Sequence, residues 1–193
     1  MSALPKQELR YTVEEYIALL QSSDERYEYF AGEIVAMAGG KIAHGTIGLN
    51  VAATLQRKLA DAACRAFNGD VAVKVPAAPP FRFPDASVAC GALEVEEFQG
   101  IEMIVNPMLL VEVLSDSTKN YDREGKFLAY QSIPSFQEYL LIEQDRHHVT
   151  QYVRQEDGAW LRRDFIGGEA EVKLSAVPCT LRLAEIYRDV IIV

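Results

Sequence analysis

Three ionisable residues stand inside otherwise apolar stretches of this sequence, and their types are those that handle phosphate esters. Glu112 lies in the middle of PMLLVEVLS, residues 107–115, Asp85 follows Pro84 in FPDASVACG, residues 83–91, and Lys126 lies in DREGKFLAY, residues 122–130. An ionised carboxylate in a strand covered on both faces is costly unless it is paired, hydrogen-bonded or bound to a metal ion. Glu112 therefore needs a partner. Two-residue periodicity sets Asp85 on one face with Phe83 and Ser87, and Glu112 on one face with Leu110 and Leu114, while Val111 and Val113 point the other way. If the two strands are neighbours in register, the carboxylates converge. Two hard oxygen ligands form a site that Mg²⁺ or Mn²⁺ accepts, completed by water and a substrate phosphate. Such an ion would keep both groups ionised and activate a water.

Asp122, Lys126 and Tyr130 recur every four residues. This is either a solvated helical stripe with a weak ion pair or a face that turns Lys126 back toward the carboxylates. In the second case the ammonium can orient the attacking water or stabilise charge on phosphorus.

The elements that must position these residues follow from patterning. A short helix is predicted at about 12–22, with Thr12 and Glu15 forming a capping box. A hairpin follows in YEYFAGEIVAMAGG, turning at Ala31 and Gly32 and ended by Gly39 and Gly40. Ile47, Val51, Leu55 and Leu59 mark an amphipathic helix over 44–63. Strands are predicted near 65–75, 81–90 and 107–115, with EVEEFQGIE as an acidic loop between the last two. A second long helix covers about 120–132 and stops before Pro134. FQEYLLIEQD reads as a further strand, VTQYVRQEDGAWLRRDFI as a hairpin turning at Asp157 and Gly158, and the terminal DVIIV as a core strand or, less simply, an interface. The expected fold is α/β, an α+β mixed sheet.

A chain of 193 residues suits a single domain over 1–193. No apolar segment approaches the ~20 residues of a membrane span, and the N-terminus has no signal-peptide pattern, so a cytoplasmic location is expected. Cys64, Cys90 and Cys179 are odd in number, far apart and without CxxC spacing, which predicts free thiols. The net charge of −9 argues against a protein that coats nucleic acid by charge alone. It leaves room for an acidic site neutralised by divalent cations, with a local basic strip drawn from Lys41, Arg57, Lys58, Arg82, Lys119 and Arg123. Gly39-Gly40-Lys41 is followed by Ile42 and lacks the spacing of a phosphate-binding loop.

The ordered set PD, then E-x-L-S, then D-x-x-x-K-x-x-x-Y resembles the Uma-two endonuclease family, a bacterial branch of the PD-(D/E)XK, restriction-endonuclease-like superfamily. The resemblance runs from YTVEEY through KIAHGTIGLNVAATL and CRAFNGDVAVKV to QEYLLIEQDRHHVTQYVR. It implies a restriction-endonuclease-like core αβββαβ, with an added N-terminal helix and hairpin and a C-terminal hairpin. It implies Asp85 and Glu112 as metal ligands for Mg²⁺ or Mn²⁺, and DNA as the substrate. Leu114 occupies the superfamily's E-x-K lysine position, and the resemblance implies that Lys126 on the next helix supplies the amine. Glu28, His44 and Asp70 match further polar positions of the family. A homodimer is implied by analogy with superfamily nucleases that cut both strands. Two other readings remain open at this level: a nuclease-fold binding or regulatory module with little hydrolysis, and a hydrolase of small phosphorylated substrates in an enclosed pocket.

Overall fold

Thr12 Oγ1 accepts from the Glu15 amide at 3.2 Å and Glu15 Oε2 from the Thr12 amide at 2.7 Å, so the expected capping box opens α1 (Val13–Ser22). The computed structural model describes residues 10–23, 25, 27–30, 32–36, 41–77, 79–116 and 118–192. They fall into two units, Met1–Gly39 and Gly40–Val193. In the first, β1 (Tyr27–Phe30) and β2 (Glu33–Ala36) pair antiparallel. Gly32 turns them at φ 95°, a conformation that strains any side chain carrying a Cβ. The buried Tyr16 donates its hydroxyl to the Tyr27 carbonyl at 2.8 Å, fastening the helix to the hairpin. Gly39 and Gly40, read as the end of this hairpin, lie outside the described residues.

The second unit begins with α2 (Ile42–Lys58), followed by β3 (Cys64–Asn68), β4 (Ala72–Lys74), β5 (Phe81–Arg82) and β6 (Ala86–Cys90). β7 (Val95–Phe98), β8 (Ile101–Ile104) and β9 (Pro107–Leu114) come next. A helical run follows, made of α3 (Lys119–Tyr121), a π turn (Asp122–Lys126) and α4 (Phe127–Gln131). The chain then forms β10 (Glu138–Glu143), β11 (His148–Arg154), β12 (Trp160–Ile166), β13 (Glu171–Lys173), β14 (Thr180–Arg182) and α5 (Leu183–Ile186).

A six-stranded sheet in the order β12-β11-β10-β9-β6-β3 is the frame. Only β9 and β10 run parallel in it, because the 119–131 helical run carries the chain back between them. The buried strand β9 is covered on both faces. Leu109, Val111 and Val113 pack with Ile47, Val51 and Leu55 of α2, whereas Leu110 and Leu114 pack with Tyr130, Phe136 and Tyr139. Glu112 shares the second face, as its spacing requires.

Several expectations are corrected. The span 65–75 is two strands in different sheets, split after Asn68 at Gly69 and Asp70, turn formers whose signal the apolar run around them masked. EVEEFQGIE is the β7–β8 hairpin of a four-stranded sheet, with Gln99 and Gly100 both at positive φ in its turn. Its exposed charges resemble a loop, but an edge hairpin carries the same composition. The terminal run is not a strand, for residues 190–192 have no ladder partner and Ile191 is 81% exposed. Finally, Cys64 and Cys90 form a disulfide, leaving Cys179 free and buried. The two are 26 residues apart but directly opposite in the β3–β6 register, a proximity that sequence spacing does not reveal.

Candidate active site

Antiparallel pairing of β6 with β9 matches Ser87 to Leu110 and Ala86 to Val111, so the next step along the same register sets Asp85 opposite Glu112. The contact is made through the backbone as well: the Val113 amide, directly after Glu112, donates to Asp85 Oδ2 at 2.6 Å. Asp85 Oδ1 meets His44 Nε2 at 3.1 Å, with His44 held by the first turn of α2. Hydrogen bonding to Asp85 raises the imidazole above its usual range, against an opposing effect of burial and with added pull from the Asp122 charge.

Glu112 is 2% exposed, and both of its oxygens are engaged. Lys126 Nζ lies 3.0 Å from Oε2 and the Tyr130 hydroxyl donates to Oε1 at 2.7 Å. Lys126 also lies 3.1 Å from Asp122 Oδ1, and Asp122 Oδ2 accepts from the Thr118 hydroxyl at 2.7 Å. Asp122 and Lys126 are buried. The stripe of polar residues is thus an internal one, turned toward the sheet rather than to solvent.

The π turn explains how Lys126 and Tyr130, four residues apart, meet one carboxylate while Asp122, four residues earlier, meets Lys126. In an α-helix each four-residue step rotates by about 40°, since 3.6 residues complete a turn. The wider π turn over 122–126 offsets that drift. The Tyr139 hydroxyl donates to the Asp122 carbonyl at 3.0 Å, anchoring the widened turn to β10. Burial raises the Tyr139 phenol far above its usual range, so it remains a donor.

Of the six residues singled out in the sequence, Asp85, Glu112, Lys126 and His44 gather in this unit. Asp70 sits exposed in the turn after β3, where its Oδ2 accepts from Asn68 Nδ2 at 2.8 Å. Glu28 belongs to the first unit, on β1 opposite Val35. Asp122 and Tyr130 were visible in the four-residue spacing but had no role assigned; the contacts of Tyr130 with Glu112 and of Asp122 with Lys126 supply it. The proposed basic strip divides. Lys41 and Lys119 both bridge Asp116, Arg82 Nε donates to the Tyr121 hydroxyl and Arg123 pairs with Glu143. Arg57 and Lys58 instead bind Glu185 in α5.

The carboxylate set suits a hard cation. Asp85, Glu112 and Asp122 outnumber Lys126, and every donor is oxygen, the ligand preferred by Mg²⁺ and Mn²⁺. Each carboxylate oxygen has more than one lone pair, so its hydrogen bond does not exhaust it. Among the described residues no group of three or more His, Cys, Asp or Glu side chains is placed to hold a metal ion, so the fit rests on the pair Asp85 and Glu112. Water and substrate oxygens would fill the remaining positions, as is usual for Mg²⁺. No helix among the described residues is long and apolar enough to cross a membrane.

The comparisons agree with this frame. A crystal structure described as a putative nuclease belonging to DUF820, from Anabaena variabilis, superposes with a TM-score of 0.70 over 93% of this chain and 99% of that one, at 18% identity. At that identity it shows the shared restriction-endonuclease-like fold. Two Synechocystis sp. relatives, the uncharacterized proteins slr1290 and sll1609, are 31% and 32% identical, covering 91% and 85% of this chain and 90% and 92% of their own. The family model Uma2, described as "Putative restriction endonuclease", matches residues 13–185. The chain belongs to the Uma2 family.

Proposed function

We propose that this protein is a metal-dependent endodeoxyribonuclease that hydrolyses DNA phosphodiester bonds. The observation that carries the proposal is the juxtaposition of Asp85 with Glu112 across two paired strands, with the Lys126 amine 3.0 Å from Glu112. Asp85 and Glu112 would hold Mg²⁺ or Mn²⁺. The ion, when bound, supplies an activated water and charge neutralisation for in-line displacement at phosphorus. The chain's own groups do the positioning. Tyr130 orients Glu112 by its hydrogen bond, and the Val113 amide and His44 orient Asp85. Asp122, itself held by the Thr118 hydroxyl, pairs with Lys126 and positions its ammonium to orient water and stabilise negative charge on the phosphate. Cytoplasmic action as a homodimer, one protomer for each strand, belongs to the same reading.

One observation favours the runner-up, a nuclease-fold binding module. Both oxygens of Glu112 already accept from Lys126 and Tyr130, as in a purely structural network. Incubation of plasmid and single-stranded DNA with Mg²⁺ or Mn²⁺ separates the two, comparing wild type with Asp85→Ala, Glu112→Ala and Lys126→Ala. Cleavage by wild type that all three changes abolish is expected. Cleavage that persists in Asp85→Ala sinks the mechanism; DNA binding without any cleavage selects the binding module.

A further inference from the structure

The carboxyl ends of the parallel pair β9 and β10 open into a polar cavity of about 290 Å³. Crevices at this edge of a sheet are where α/β proteins receive ligands. This one begins at Leu114, two residues past Glu112, and is bounded by the start of the 119–131 helical run and by the segment after β10. Its floor holds an unmet requirement. Gln144 lines the cavity and is 6% exposed, and its buried Oε1 has no hydrogen-bond partner among the described residues. An orphaned buried amide oxygen costs roughly what a lost hydrogen bond does. Rotation about the last side-chain torsion presents either the amide oxygen or the amide nitrogen to an occupant.

Lys119, Arg123 and Arg146 line the same cavity, alongside Asp116, Glu143 and Asp145. Arg123 Nη2 and Arg146 Nη2 lie 2.5 Å and 2.9 Å from the same oxygen of Glu143, so two guanidinium groups share one carboxylate. Each has five N–H donors, most of them left for an anion. Asp116 is likewise neutralised twice, by Lys41 at 3.1 Å and Lys119 at 3.4 Å. An occupant with a negative group and a flat hydrogen-bonding edge satisfies both features. Simple phosphate satisfies only the cations.

We infer that this cavity is a nucleotide subsite, in which the Gln144 amide bonds the edge of an unstacked base while Arg146, Arg123 and Lys119 hold its phosphate. The inference rests on the nuclease reading and extends it: one nucleotide of the substrate strand is held beside the cleavage centre, out of the duplex stack. Unstacked bases are read along their edges in this way.

The test is an NMR titration of the full chain in EDTA with deoxyadenosine 5′-monophosphate, thymidine 5′-monophosphate and 2-deoxyribose 5-phosphate. Both nucleotides are expected to shift amides of residues 114–123 and 143–146, with the sugar phosphate roughly tenfold weaker or more. Gln144→Leu should reduce nucleotide affinity to that of the sugar phosphate, and Arg146→Ala should weaken all three ligands. Gln144→Glu keeps the shape of the side chain and should abolish binding through like-charge repulsion, which guards against misfolding of the leucine variant. Equal binding of sugar phosphate and nucleotide, wild-type affinity in Gln144→Leu, or no nucleotide binding overturns the inference. Nucleotide binding without metal-dependent cleavage would retain the subsite and remove the nuclease reading. Asp85-dependent cleavage without nucleotide binding would do the reverse.

Discussion

Glu112 and Glu138 stand on neighbouring parallel strands, 2% and 0% exposed, and face opposite sides of the same sheet. Their partners differ in kind. Among the described residues Glu138 accepts only from neutral donors: Gln151 Nε2 at 2.5 Å and the Ser175 and Ala176 amides at 2.8 Å each. It fastens the segment after β13 to the sheet, and burial raises its carboxyl above the usual range despite these bonds. Glu112 faces a buried ammonium that also pairs with a second carboxylate, Asp122. A buried carboxylate alone is therefore no mark of function. What separates the two is charge: one network is closed by neutral donors, the other holds Lys126 between two acids beside a third, Asp85.

Substitutions should divide along that line. The largest effect is expected from Lys126→Met, which removes the ammonium shared by Glu112 and Asp122. It should lower unfolding stability by about 3–5 kcal/mol in urea titrations and abolish cleavage. Glu112→Gln keeps shape and most hydrogen bonds, so it should reduce the cleavage rate by about 100-fold or more while costing much less stability. Glu138→Ala should show the opposite profile. It loses about 2–3 kcal/mol from the freed amides, with metal-dependent cleavage per folded molecule unchanged; a large loss of cleavage there would erase the distinction between the two faces.

The pH dependences sharpen it further and are smaller. Because the folded-state Glu138 carboxyl titrates above its ordinary 4.5, its contribution to stability is fully present below that pH. It is lost as pH rises through the raised value. Glu138→Gln should flatten this limb of the stability profile. His44 is also raised, from 6.5, so its contribution is complete below about pH 6.5 and lost as pH rises through the folded value. In metal-free buffer, His44→Gln should remove that slope, and an unchanged slope would mean that the His44–Asp85 contact does not form in solution.

Much of the site was legible because strands and helices obey fixed periods. Two-residue alternation placed Glu112 with Leu110 and Leu114, and four-residue spacing placed Asp122, Lys126 and Tyr130 together. The same signals could not say that the helical face was buried, nor that a π turn aligned it, since a solvated stripe has the same spacing. Glu138 passed unremarked in FQEYLLIEQD although it is as buried as Glu112. Its partners, Gln151 and the 175–176 amides, are 13 to 38 residues away, and no local pattern links them.

The amino-acid order by itself determined which residues share a face, where α1 begins and which polar groups needed partners, because these depend on local geometry and on the cost of burying charge. Only the tertiary structure decided which partners they found. The β6–β9 register set Asp85 beside Glu112 and the β3–β6 register joined Cys64 to Cys90, while the crossover between β9 and β10 brought Lys126 under the sheet. Each is a contact between segments distant along the chain, whose closeness is fixed by strand pairing and packing rather than by spacing.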